Sequence, residues 1–300
     1  RGEVAGVMGH AEEALVSAVE GRLGPYSTGK VYCSLISACE ELGDLDRAAE
    51  WTAATQQWAE QHPFAIFPGI CRVHRAVVLK RRGALAEAEG EALRAGEELV
   101  GSHIGNRGLA FAEVGDIRRR LGDLDRSQEA FDRAQELCGR PCGELALLRL
   151  AQGRIDAATA VVAECLADTT APLARSRLLP VQVHVAIAAG DLEAAAVALT
   201  ELDGIAETYS TPMLRASALA ARGRLALAGR DLPAARAALE QATEQWRALD
   251  VPYEIATTLT LLGQTRRDAG DDPGAASAFA AAVELFDDIG AHLDARLVLD

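Results

Sequence analysis

Apolar residues recur along this chain at three- and four-residue spacing, and glycines interrupt that pattern at nearly constant intervals. The segment ELGDLDRAAEW at 41–51 has counterparts at 81–91, 120–130, 151–161, 188–198, 228–238 and 268–278. Aligned on the residue that opens the second stretch, successive copies lie 40, 39, 31, 37, 40 and 40 residues apart. Such apolar spacing indicates amphipathic helices, and a fixed long period indicates a repeat array. The pattern therefore predicts seven helical hairpins in succession.

A glycine separates the two helical stretches of each repeat. Glycine readily takes the left-handed backbone conformation that ends a helix, and the Asp that follows in most repeats suits the N-cap of the next helix. The predicted turns lie near residues 43, 83, 122, 153, 190, 230 and 270. We expect an all-α, right-handed superhelical solenoid over 28–290. A lead-in helix and linker at 1–27 precede it, with the helix near 10–23, and the truncated start of a further helix follows at 291–300.

Small residues recur inside the predicted helices. Gly115, Gly223 and Gly263 fall in helix interiors, where glycine costs about 1 kcal/mol relative to alanine. The residues twelve positions further on are also small: Ser127, Ala235 and Ala275. Small residues on facing surfaces let two helices approach closely, so these glycines predict tight packing within each hairpin.

The same positions resemble a known repeat. Gly115, Ser127, Phe131 and Ala134, followed by Pro141, have the small–small–aromatic–small–proline spacing of the tetratricopeptide repeat. Gly263, Ala275, Phe279 and Ala282 repeat the first four positions. The resemblance covers roughly residues 28–290, although Arg118 and Arg266 stand where that repeat has Tyr. It implies a superhelix whose concave groove is lined by the first helix of each hairpin.

The sequences of the longer, alanine-rich repeats resemble those of a narrower group of proteins. Segments such as VYCSLISACEELGDLDRAAEWT at 31–52 are similar to the helical-repeat region of large actinobacterial transcription regulators of the LuxR class, related to the maltose-regulon activator. That resemblance implies a sensor and interaction domain that binds a small-molecule inducer and lies between an ATPase and a helix-turn-helix domain. The alternative is a free-standing scaffold that docks an acidic peptide or protein in its groove.

Carried onto this sequence, the repeat's register selects a set of groove residues that is mainly basic or polar. Such a surface favours a carboxylate, a phosphorylated metabolite or an acidic peptide, so a net basic groove is expected. Arginine is also a good helix former on solvated faces, which leaves ordinary surface charge as the alternative, and a buried histidine is the alternative for His184. The set is Lys30, Cys33, Ser37, Lys80, Asp116, Arg119, Arg177, His184, Arg224, Gln264 and Arg267.

Charge and composition exclude other classes. A formal net charge of −14 repels nucleic acid, so direct binding to it is not expected. The chain has no run of 18 apolar residues and no secretory leader, which predicts a cytoplasmic protein with no membrane contact. The six cysteines form no CxxC pair, so we expect no metal, and no cofactor is expected either.

Two short motifs resemble catalytic motifs, but the residues around each of them do not fit such a role. GPYSTGK at 24–30 matches the start of a phosphate-binding loop, but a helical stretch precedes it and Val31 stands where magnesium needs a hydroxyl. Cys71 and His74 share a helix face, but the sequence shows neither an orienting third group nor an oxyanion hole for them. We therefore expect a non-enzyme with no catalytic residues.

Overall fold

The structure, a computed structural model, describes residues 22–61, 68–100, 104–138 and 143–299. These ranges form fifteen α-helices and no β-strand. The helices are α1 (Pro25–Leu42), α2 (Leu45–Gln61), α3 (Pro68–Arg81), α4 (Leu85–Glu98), α5 (Ile104–Arg120), α6 (Leu124–Cys138), α7 (Gly143–Ala151), α8 (Ile155–Asp168), α9 (Pro172–Ala188), α10 (Leu192–Tyr209), α11 (Pro212–Ala228), α12 (Leu232–Leu249), α13 (Pro252–Asp268), α14 (Asp272–Asp288) and α15 (His292–Leu299). Successive pairs from α1–α2 to α13–α14 make hairpins 1 to 7, so the expected all-α solenoid is confirmed.

The hairpin turns use the left-handed backbone conformation at or beside the glycines selected from the sequence. Six of the turns place a glycine at positive φ, at Gly43, Gly83, Gly122, Gly153, Gly190 and Gly270. Hairpin 6 corrects the prediction, because Gly229 has a φ of −78° and Arg230 takes the left-handed conformation with a φ of 63°. The turn itself is conserved in shape although a different residue carries the positive φ.

Aspartates cap the second helices as their position after the turn predicts. The carboxylate Oδ1 atoms of Asp191, Asp231 and Asp271 accept hydrogen bonds from the backbone N–H three residues later, at 2.9, 3.1 and 3.0 Å. Asp44 and Asp123 accept the equivalent bonds at 3.2 Å. Each cap satisfies a backbone N–H that the helix itself leaves unpaired.

The interior glycines lie against large side chains of the partner helix. A Cβ atom added to Gly115 would lie 2.9 Å from ring atoms of Phe131, and one on Gly263 would lie 2.5 Å from the ring of Phe279. Ser127 adds a bond across the same contact, since its hydroxyl donates to the carbonyl oxygen of Gly115 at 2.7 Å. The tight packing predicted for these glycines is confirmed.

Three predictions made from the sequence concern helix boundaries. Helix α1 begins at Pro25, so most of GPYSTGK forms the start of a helix and not a linker ending at residue 27. The lead-in helix near 10–23 lies outside the described residues except for 22 and 23, which are not helical. Helix α15 begins at His292, within the segment 291–300 where the start of a further helix is expected.

Hairpins 1 to 3 contact hairpins 6 and 7 and helix α15, which the sequence did not predict. A methyl group on Gly122 would lie 2.6 Å from the Cβ atom of Leu293, and one on Gly83 would lie 2.8 Å from Pro252. Arg82 Nη1 donates to Asp250 Oδ2 at 2.9 Å, across 168 positions of sequence. The early and late hairpins therefore meet, and the concave groove lines a partly open space between them.

Candidate ligand cavity

A cavity of about 320 Å³ lies where the first helices converge. We call it the central cavity. It is lined by the first helix of every hairpin and, in addition, by Trp246 of α12. This lining agrees with the arrangement that the tetratricopeptide resemblance implies.

The central cavity holds charges of both signs. Its basic residues are Lys80, Arg81, Arg120 and Arg177, and its acidic residues are Glu40, Glu113, Asp116, Glu144 and Glu254. Four basic and five acidic side chains give a formal charge of −1. The expected net basic groove does not hold for this cavity, because the same helices supply carboxylates that the groove register did not select.

Asp116 is the centre of a buried ion network in the wall of the cavity. Lys80 Nζ lies 3.0 Å from Asp116 Oδ2, while Arg119 and Arg120 approach the same carboxylate at 2.6 and 3.2 Å. Burial alone would raise the pKa of Asp116, but these three cations hold it well below its usual value. Lys80 also pairs with Glu113 at 2.5 Å. The network thus keeps its charges while removing them from water.

The network joins hairpin 3 to hairpin 7. Arg119 Nη1 donates to the hydroxyl of Tyr253 at 3.3 Å, and Arg120 Nη2 pairs with Glu254 Oε1 at 3.2 Å. The guanidinium of Arg120 also lies 4.1 Å from the centroid of the Tyr253 ring, a cation–π contact. Tyr253 in turn donates to Asp294 Oδ2 of α15 at 3.0 Å. These contacts close the solenoid beside the cavity.

Three polar atoms in the cavity wall lack a partner. Among the described residues, Arg81 Nε, Trp246 Nε1 and Glu254 Oε2 are buried without a hydrogen bond, and all three residues line the central cavity. A buried polar atom without a partner costs about 1–3 kcal/mol, and such atoms are rare in folded proteins. The residues that line the cavity thus include two donor atoms and one acceptor atom without a partner.

The predicted groove residues divide into two groups. Lys80, Asp116 and Arg177 line the central cavity, and Arg119 lies in the adjoining network. His184 and Arg224 lie near Arg119. Burial, followed by the positive charges of Arg224 and Arg119, lowers the pKa of His184 to about 3. Burial likewise lowers the pKa of Arg224 to about 10.

The remaining predicted residues do not line the cavity. They are Lys30, Cys33, Ser37, Gln264 and Arg267. Arg267 stacks over the ring of Phe279 at 5.4 Å, and Cys33 belongs to a separate cluster with Cys71. The repeat register does not select Arg81, Arg120, Trp246, Tyr253 and Glu254. A signal existed for one of them, because Arg118, Arg119 and Arg120 end α5 as three consecutive cations.

Metal binding and membrane insertion find no support in the part of the chain that the structure describes. There, no group of three or more His, Cys, Asp or Glu side chains is placed to hold a metal ion. Over the same residues, every helix is too short or too polar to cross a bilayer.

The fold defines a tetratricopeptide-like helical solenoid. No protein-family model matches the sequence, and no curated protein matches it either. Among solved structures, the chain resembles the crystal structure of the APC/C hetero-tetramer Cut9–Hcn1, with a TM-score of 0.60 and 15% identity over 91% of this chain. The chain spans about half the length of that matched chain, of which 49% is covered. A tetratricopeptide repeat protein from Parabacteroides merdae aligns over 91% of this chain and 99% of its own, with 15% identity and a TM-score of 0.46.

Proposed function

We propose that this chain is a non-catalytic sensor and interaction module that binds a small polar molecule in the central cavity. The observation that carries this proposal is that three residues lining one cavity, Arg81, Trp246 and Glu254, each have a buried polar atom without a partner. A ligand with two acceptor atoms and one donor would satisfy all three. Sugars, polyols and zwitterionic amino acids have this chemistry.

The size and charge of the cavity favour a small ligand over an acidic peptide. Pockets for small molecules occupy about 300–1,000 Å³, and the central cavity, at about 320 Å³, is at the lower end of that range. Its formal charge of −1 gives no attraction for an acidic chain. The free-standing scaffold that docks an acidic peptide is therefore the weaker proposal.

The regulatory setting is a further part of the proposal and rests on the resemblance of the repeats to LuxR-class regulators. In that setting the ligand controls an ATPase domain and a helix-turn-helix domain of one cytoplasmic protein. The closed solenoid supports such coupling, because an occupant of the cavity touches hairpins that are distant in sequence. The sequence of the whole gene tests it. A strand–P-loop–helix unit before these repeats and a helix-turn-helix after them are expected, and their absence would leave the free-standing module.

A thermal-shift screen with sugars, polyols, amino acids and dicarboxylates tests ligand binding. A compound that binds only the folded state raises the unfolding midpoint by mass action. Substituting Trp246→Phe removes the indole N–H and keeps an aromatic ring, so a hit should lose affinity by about 3- to 10-fold, the worth of one hydrogen bond.

Trp51→Phe is the matched control. Trp51 packs against Tyr32 in hairpin 1, at 6.3 Å between ring centroids, and does not line the cavity. Its substitution should leave the affinity of the hit unchanged. Equal losses in the two variants would place the binding site elsewhere, and a screen without hits over all four compound classes would count against the proposed ligand chemistry.

A further inference from the structure

Hairpins 1 and 2 bring two cysteines, a histidine and a glutamate together beside the central cavity, which the glutamate also lines. Cys33 and Glu40 come from α1, while Cys71 and His74 come from α3. The two sulfur atoms lie 4.0 Å apart, and His74 Nδ1 lies 3.3 Å from Glu40 Oε1. The third group that the sequence could not supply for the Cys71–His74 pair is thus a carboxylate from the neighbouring hairpin, and the partner thiol is Cys33.

We propose that Cys33 and Cys71 are a peroxide-reactive dithiol, in which Cys33 attacks a hydroperoxide and Cys71 then closes a disulfide between hairpins 1 and 2. The exposures of the two side chains suit these roles. Cys33 is partly exposed and can meet a small oxidant, whereas Cys71 is buried with its sulfur 4.0 Å from that of Cys33.

The surrounding charges distinguish the two thiols. Hydrogen bonds from Cys71 and His74, with the positive charge of His74, lower the pKa of Cys33 to about 5 although burial and Glu40 oppose the shift. The bond to Cys33, with burial, raises the pKa of Cys71. Burial lowers the pKa of His74, but its bonds to Cys33 and Glu40 outweigh that effect and raise it to about 10. At neutral pH the cluster holds a thiolate, a thiol and an imidazolium.

The chemistry balances with a hydroperoxide as the oxidant. The Cys33 thiolate attacks the terminal peroxide oxygen, the O–O bond breaks, and the leaving alkoxide or hydroxide takes a proton from His74. The sulfur of Cys71 then attacks that of Cys33, the S–O bond breaks, and water leaves with the Cys71 proton. The two cysteines together lose two electrons. An organic hydroperoxide is thereby converted to an alcohol and one water, and hydrogen peroxide to two waters. The sulfur atoms must close from 4.0 Å to about 2.05 Å.

The test begins with reduced protein and hydrogen peroxide at one equivalent. We expect two thiols to be lost per peroxide consumed, and peptide mapping should recover a Cys33–Cys71 disulfide. In Cys71→Ser the reaction should stop at a sulfenic acid on Cys33, which dimedone traps. Cys33→Ser should abolish the fast reaction, and the control Cys138→Ser, in α6, should behave as the unsubstituted protein.

A second measurement needs no substitution and keeps the proposal open to refutation if a variant fails to fold. Iodoacetamide labelling of Cys33, followed by mass spectrometry between pH 4 and 9, should reach half its maximal rate well below pH 8.5, because the cluster lowers the pKa of this thiol. An ordinary cysteine does so near pH 8.5. His74→Gln should move the profile upward. A wild-type midpoint near pH 8.5, or peroxide loss with no Cys33–Cys71 peptide, would overturn the proposal.

Discussion

Single residues set how closely the helices of a hairpin approach. At Gly115, Gly223 and Gly263 the absence of a side chain lets Phe131, Leu239 and Phe279 reach the helix backbone of the partner. The three contacts follow one rule: each large side chain lies sixteen residues after the glycine whose missing side chain makes room for it. The packing gain therefore offsets the poor helix propensity of glycine.

Gly115→Ala tests this packing. A methyl group there would lie 2.9 Å from the Phe131 ring, so the ring or the helix must shift, and overpacking of this kind costs about 1–3 kcal/mol. The urea midpoint should fall even though alanine is the better helix former. Gly204→Ala is the matched control, because nothing lies within 4 Å of its Cβ position and the midpoint should rise by the equivalent of about 0.4–1 kcal/mol. A rise in both variants would contradict close packing at Gly115.

His184 makes the fold sensitive to acid. Its pKa is lowered to about 3 in the folded state, against about 6.5 in the unfolded chain. As pH falls below about 6.5 the unfolded chain binds the proton and the folded chain does not, so the free energy of unfolding decreases. At pH 5 the penalty is at most about 2 kcal/mol relative to pH 7. In urea unfolding at these two pH values, His184→Asn should lose less stability than the unsubstituted protein, and equal losses would contradict the lowered pKa of His184.

At the scale of elements, the sequence predicts what is local. Helix stops at glycines such as Gly83 and caps such as Asp271 depend on residues within one turn, and both appear in the structure. Hairpin 6 is the informative exception: either Gly229 or Arg230 satisfies the turn, and the apolar pattern does not distinguish them. The capping aspartate and the glycine together predict the position of the turn to within two or three residues. Packing determines which of those residues takes a positive φ.

The candidate sites are formed by residues on different helices, and no local sequence pattern predicts which helices come into contact. The register selected Lys80 from hairpin 2 and Asp116 with Arg119 from hairpin 3, and these three do meet. It could not select Glu254 or Trp246, because their place beside the cavity depends on contacts between hairpins far apart in sequence. For the same reason Cys71 and His74 looked incomplete until Glu40 was found beside them.

At the scale of the whole molecule, contacts between early and late hairpins turn the concave groove into the wall of a partly open cavity. Tyr253 is the main contact of this closure, since it touches Arg119, Arg120 and Asp294 and packs edge-on against Phe286 with 5.5 Å between ring centroids. An array of repeats ordinarily makes contacts between neighbours only, and this one adds contacts between distant hairpins.

Tyr253→Ala should open the molecule. Losing a large aromatic side chain costs about 3–5 kcal/mol in a packed site, and here it also removes the hydroxyl that links Arg119 to Asp294. Small-angle X-ray scattering should show a larger radius of gyration for the variant. Tyr209→Ala is the control. Tyr209 lies in α10, is partly buried and packs against the core around Leu202, so this variant should lose stability but keep the radius of gyration of the unsubstituted protein. An unchanged radius for Tyr253→Ala would show that other contacts suffice for closure.

The contact between Arg82 and Asp250 spans 168 positions, and that between Arg120 and Glu254 spans 134. Bringing such distant segments together costs loop-closure entropy, whereas each hairpin forms from residues that are close in sequence. Proteins with long-range contacts fold more slowly than those with local contacts alone. The hairpins of this chain can therefore form early and independently, and the joining of its early and late repeats belongs to the last and slowest stage of folding.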